Sequence, residues 1–160
     1  HFAWRCRDAE ETRHFYEDIL GLPLAHTIEL DHVPSTGEYA PYLYLFFRMG
    51  NGSCIAFFDL ADGKGYTPHP DNPEWINHFA FEVATDEEVL AARERLVENG
   101  IEVIGPTAHG FIRSIYFFDP NNLRLEITCR VEGAAEARIY QDRAHDHVRK
   151  WLAAHPKPAA

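Results

Sequence analysis

Apolar and polar residues alternate through the first seven positions, with Phe2, Trp4 and Cys6 on one side and His1, Ala3 and Arg5 on the other. A period of two is that of a strand with one covered face. Asp8-Ala9-Glu10-Glu11 has the form of a capping box and predicts a helix over 9–20, closed by Gly21 and Pro23. Residues 24–31 read as a strand, "VPSTGEYAP" as a loop, and "YLYLFFRMGNGSCIAFFD" as a hairpin turning at Gly50-Asn51-Gly52. The order strand, helix, three strands then recurs. Residues 76–84 alternate His78, Ala80 and Glu82 against Phe79, Phe81 and Val83, and Thr85-Asp86-Glu87-Glu88 caps a helix over 86–99. "IEVIGP" follows as a strand and "SIYFFDPNNLRLEIT" as a second hairpin.

"HFAWRCRDAEETRHFY" and "HFAFEVATDEEVLAAR", aligned without a gap, share His-Phe-Ala at the start and Glu-Glu farther on. The chain therefore divides into a first βαβββ module (1–60), a Gly-, Pro- and Asp-rich linker (61–75), a second βαβββ module (76–129) and a helical tail (130–160). The fold class is α+β: tandem modules forming a cupped mixed sheet around a cavity. One helix per module covers one sheet face, so the other face is left for a partner sheet or a ligand. In the tail, Ile139, Val148, Trp151 and Leu152 form an apolar side suited to packing or dimerisation.

Composition narrows the function. The 160 residues carry a net charge of −10, which disfavours nucleic acid and anionic membrane as partners. No apolar run reaches a membrane span. Cys6, Cys54 and Cys129 lack zinc-like spacing and fall in strand-like runs, so they read as reduced thiols in a cytoplasmic protein. The chain opens on His1 without an initiator methionine, and the repeat favours residues upstream of it.

The candidate chemistry lies opposite the aromatic strand faces. His1 and His78 occupy equivalent repeat positions on the side away from the helices, and pseudo-symmetry would bring them toward one cavity. In the last hairpin, burying Ile115 and Phe117 with Leu125 and Ile127 places Tyr116 opposite Glu126 on the cavity side. Two imidazoles and one carboxylate suit a divalent first-row metal with coordination positions left open. The equivalent of Glu126 in the first module is Ala56, so that module adds no carboxylate.

The duplicated modules, the histidines that begin their first strands and "SIYFFDPNNLRLEIT" resemble the vicinal oxygen chelate superfamily over residues 1–129. That group holds glyoxalases, type I extradiol dioxygenases, fosfomycin-modifying transferases and bleomycin-binding proteins. The resemblance implies metal ligands at His1, His78 and Glu126, and a homodimer acting on a small molecule. Superfamily glyoxalases carry a fourth ligand where this chain has Ile55-Ala56-Phe57-Phe58. The dioxygenases use two histidines and one glutamate, with a tyrosine ten residues before the glutamate, as Tyr116 stands before Glu126. The expected activity is therefore Fe(II)-dependent, extradiol-type ring cleavage of a catecholic or related oxygenated substrate. Tyr116 would contact the substrate and His109 would act as acid–base, the alternative for His109 being an exposed loop residue. Phe46, Phe58 and Phe118 would suit an aromatic ring. The runner-up is a glyoxalase-like isomerase or lyase using Mn, Ni or Zn. A fosfomycin-type thiol transferase and a metal-free sequestering protein follow.

Overall fold

The computed structural model describes residues 1–131 and 133–156. Each module folds as its pattern dictates. In the first, β1 (Phe2–Cys6) is followed by α1 (Ala9–Arg13) and its π-helical continuation (His14–Ile19), then by β2 (Leu24–His32), β3 (Tyr39–Arg48) and β4 (Cys54–Asp59), and the strands form a sheet in the order β1-β4-β3-β2. In the second, β5 (His78–Val83), α2 (Asp86–Glu98), β6 (Ile104–Ala108), β7 (Ile112–Phe118) and β8 (Arg124–Arg130) repeat it as β5-β8-β7-β6. The first strand of each module runs parallel to the last, and the remaining pairs are antiparallel. A C-terminal helix, α3, spans Ala134–Ala154. The Gly- and Pro-rich stretch between the modules holds no strand or helix.

The two helices obey their caps differently. Thr85 and Glu88 close a reciprocal capping box on α2. On α1 the Asp8 carboxylate accepts from the Glu11 amide at 2.7 Å, but the Glu11 side chain turns to Arg7 instead. From His14 to Ile19, α1 widens to π-helical winding, marked by the bond from the Leu20 amide to the Phe15 carbonyl. Thr12, Phe15, Tyr16 and Ile19 form its buried side.

The strand expected from residue 101 begins only at Ile104. The α2 C-terminus explains this: the Gly100 and Ile101 amides bond back to Val97 and Leu96, so the chain is still closing the helix there. Ile101 and Val103 nevertheless pack against the core.

One core joins the modules. Leu45, Phe47, Ile55 and Phe57 of the first sheet and Ile115, Phe117, Leu125 and Ile127 of the second meet around the buried sides of α1 and α2. Phe15 contacts Phe117, while Phe2 and Trp4 pack edge-on against Phe79. A buried polar staple crosses the same junction: Tyr16 donates to Asp119 at 2.9 Å, and the Arg7 amide donates to the Asn121 side-chain oxygen at 2.9 Å. The linker passes over this staple, its Tyr66 amide bonding the Asn121 carbonyl. The helix-covered faces therefore meet in the middle of the chain, and the opposite sheet faces turn outward.

Candidate metal centre and its acid–base pair

On the outer face of the second sheet, the parallel pairing of β5 with β8 sets Ala80 opposite Glu126, and the hairpin sets Tyr116 on Glu126's other side. Apolar residues on both sides of Glu126 in sequence anchor β8 to the core, so the strand's alternation delivers the carboxylate to this face. Glu126 is only 4% exposed.

His78 closes on it, with Nε2 at 3.0 Å from Glu126 Oε2. The other ring nitrogen, Nδ1, lies 3.0 Å from the Ile76 carbonyl, which can only accept, so Nδ1 carries a proton and donates it. Nε2 is therefore the ring nitrogen that faces the carboxylate. Two acceptors at that distance need a positive charge between them, either a proton or a cation. The second oxygen, Oε1, is shielded from solvent and has no hydrogen-bond partner. An imidazole oriented through its far nitrogen, beside a buried carboxylate with spare lone pairs, is a donor set that fits a divalent metal.

Tyr116 borders this pair. Its ring stands edge-on to His78, and its hydroxyl lies 2.8 Å from His109 Nε2. Burial, reinforced by the Glu126 carboxylate, raises the Tyr116 pKa above the usual tyrosine value. The phenol is thus a donor, bonded to an imidazole on an exposed loop that can exchange protons with water.

His1 lies elsewhere. Its ring packs edge-on against Tyr44 and Phe46 of the first sheet, at centroid distances of 5.9 and 5.4 Å. Among the described residues of one chain, no three His, Cys, Asp or Glu side chains gather where a metal could be held. The structure brings His78, Glu126, Tyr116 and His109 together and leaves His1 on the other module. The expected approach of His1 to His78 does not occur within one chain, because the modules meet through the faces that carry Phe2, Trp4 and Phe79.

Around His1 the first sheet presents an aromatic wall. Tyr44 stacks on Phe58 at 3.7 Å between centroids and touches Phe46 at 4.1 Å, while Tyr42 and His26 extend the row. Phe46 and Phe58 were legible as cavity aromatics; Tyr42 and Tyr44 belong to the same alternation along β3 and could have been read from it. At the register position matching Glu126, Phe46 faces Ala56, which is fully buried. Arg124, opposite both His78 and Phe118, lies on the same face as Glu126, where the strand alternation puts it.

Comparison with known proteins agrees with this architecture. A glyoxalase family protein from Enterococcus faecalis is 26% identical, with a TM-score of 0.58 over 80% of this chain and 94% of that one. A glyoxalase/dioxygenase from Nostoc punctiforme is also 26% identical, with a TM-score of 0.59 over 82% and 90%. The fosfomycin resistance protein FosX from Listeria monocytogenes, solved with Mn(II) and sulfate, shares the fold at 23% identity and a TM-score of 0.59 over 87% and 94%. The family model of the Glyoxalase/Bleomycin resistance protein/Dioxygenase superfamily, whose members are for the most part metal-dependent enzymes acting on small molecules, matches residues 1–127. With duplicated modules, matching length and a continuous match through both, the chain belongs to that superfamily.

Proposed function

We propose that the protein is a cytoplasmic, extradiol-type ring-cleaving dioxygenase acting on a catecholic or related small oxygenated substrate. Its Fe(II) would be held by His78 and Glu126 of one copy and His1 of a second copy in a homodimer. The observation that carries this reading is the Tyr116–His109 hydrogen bond beside the His78–Glu126 pair. It supplies a proton donor and an acceptor next to the place where a chelated substrate would bind.

A divalent cation held by His78, Glu126 and His1 would lower the pKa of a substrate's vicinal hydroxyls. The protein's own part follows from its geometry. Tyr116 Oη donates to a substrate oxygen, and His109 Nε2 takes up or returns the proton across 2.8 Å. The aromatic wall of Tyr44, Phe46 and Phe58 from the second copy would cover the ring and exclude water. Ala56 at the fourth position favours a three-ligand site over the four-ligand glyoxalase arrangement.

The test is anaerobic reconstitution with Fe(II), then addition of catechol and oxygen. Oxygen uptake with a coloured ring-cleaved product is the expected result. Turnover of a hemithioacetal with Ni or Zn, and none of catechol with iron, would replace the dioxygenase with the isomerase reading.

A further inference from the structure

Arg124 is a half-buried cation with no hydrogen bond or ion pair to the described residues. Its Nε is shielded from solvent and makes no hydrogen bond. The other half-buried arginines are all satisfied: Arg5 by Asp62, Arg13 by Glu10, Glu17 and Asp18, Arg93 by the Gly105 carbonyl, and Arg113 by Asp86. Glu126, two residues along the same strand, gives its Oε2 to His78. The Arg124 guanidinium carbon lies 4.8 Å from the centre of the Tyr116 ring, and this fixes one face of the group. A ring face does not satisfy an N–H that points along the guanidinium plane; that requires an oxygen in the plane.

The position matters as much as the vacancy. Arg124 and Glu126 are alternate residues of β8, on one face and about 6.6 Å apart along the strand. That is close to the span of one substituted benzene ring. In a chain of net charge −10, the long-range field opposes an approaching anion, so an anionic ligand needs a dedicated local cation.

We infer that Arg124 receives an oxyanion substituent of the substrate, so that the enzyme takes an aromatic carrying a carboxylate or phosphonate about one ring's length from its vicinal oxygens. The inference rests on the catecholic reading of the site and narrows it. The planar guanidinium fork pairs with two oxygens of the anion, a geometry that lysine cannot reproduce. Arg124 is a specificity residue, since it contacts the substrate away from the reacting bonds.

The test is calorimetric titration of the Zn(II)-loaded protein, which cannot turn over oxygen, with catechols bearing a para carboxylate, phosphonate or methyl group. The carboxylate or the phosphonate should bind roughly tenfold to hundredfold more tightly than the methyl compound. The better of the two anions identifies the substituent. Arg124→Met should abolish that preference and leave the affinity for the methyl compound unchanged; Arg124→Lys should keep part of it. Equal binding of all three probes by the wild type overturns the inference, as does equal weakening of all three in a folded Arg124→Met protein. The two readings fail separately. An anion preference without oxygen uptake by the Fe(II)-loaded enzyme overturns only the dioxygenase, and oxygen uptake without the preference overturns only the role of Arg124.

Discussion

Glu126 and His78 face each other as two acceptors, and Tyr116 stands over them as a donor. These three residues make different predictions. Glu126→Ala removes the buried carboxylate of the pair, so metal content should fall to background while the circular dichroism spectrum is kept; full metal loading would refute its role as a ligand. Tyr116→Phe keeps the ring and loses the hydroxyl, so metal content should hold while turnover drops by roughly a hundredfold. Asp119 gives a prediction about pH. Burial raises its pKa, although bonds from the Leu123 and Asn121 amides, Tyr16 and the Asn121 side chain pull the other way. The native state therefore binds this proton more tightly than the unfolded chain. The stability it contributes is complete below the ordinary carboxylate value and is lost as pH rises through the raised native value. The unfolding free energy of the wild type minus that of Asp119→Asn should accordingly fall as pH rises above the ordinary carboxylate value, and a rise would contradict the sign. At this scale the sequence anticipated most of the candidate site's geometry, His1 excepted. Period-two alternation put Tyr116 opposite Glu126 because a one-residue slip would have buried the carboxylate against the helix. It could not reveal that Arg124 makes no hydrogen bond or ion pair to the described residues, since pairing depends on which distant carboxylates are already engaged.

Among the elements, the helices and hairpins were the most readable, for local reasons. The Thr85 capping box formed as its spacing implies, and Thr85→Ala should cost about 1 kcal/mol in denaturant unfolding. The Asp8 version formed only half, because Arg7 offers Glu11 a closer opposite charge. Nothing in residues 14–19 announces the π winding, within which Tyr16 reaches Asp119 on the other module. The late start of β6 was hidden too, because the α2 C-terminal bonds extend past Gly100 and the hydrophobic run of Ile101 and Val103 reads equally well as strand. The three cysteines behave as a strand assignment implies: all are free, with Cys6 and Cys129 buried. Burial pushes the Cys6 thiol up to about 12, so it stays protonated and unreactive at neutral pH. A thiol reagent at pH 8 should label the half-buried Cys54 well before Cys6; faster reaction of Cys6 would show that β1 opens.

At the level of the whole molecule, the duplicated pattern predicted two modules, and two modules are present. The pattern could not say how the modules meet, because alternation assigns residues to the two faces of one sheet and carries no information on how two sheets are set against each other. Burial decides it: the aromatic rings of β1 and β5 close the centre, and the surfaces that carry His1 and Glu126 look outward. α3 adds a second unsettled surface, with Val148, Trp151 and Leu152 more than half exposed. His1 stands on one outward face and Glu126 on the other. Two inactive proteins should therefore rescue each other: His1→Ala mixed with Glu126→Ala gives hybrid pairs in which one of the two centres inherits a complete set of ligands, so mixing should restore catalysis that neither parent has.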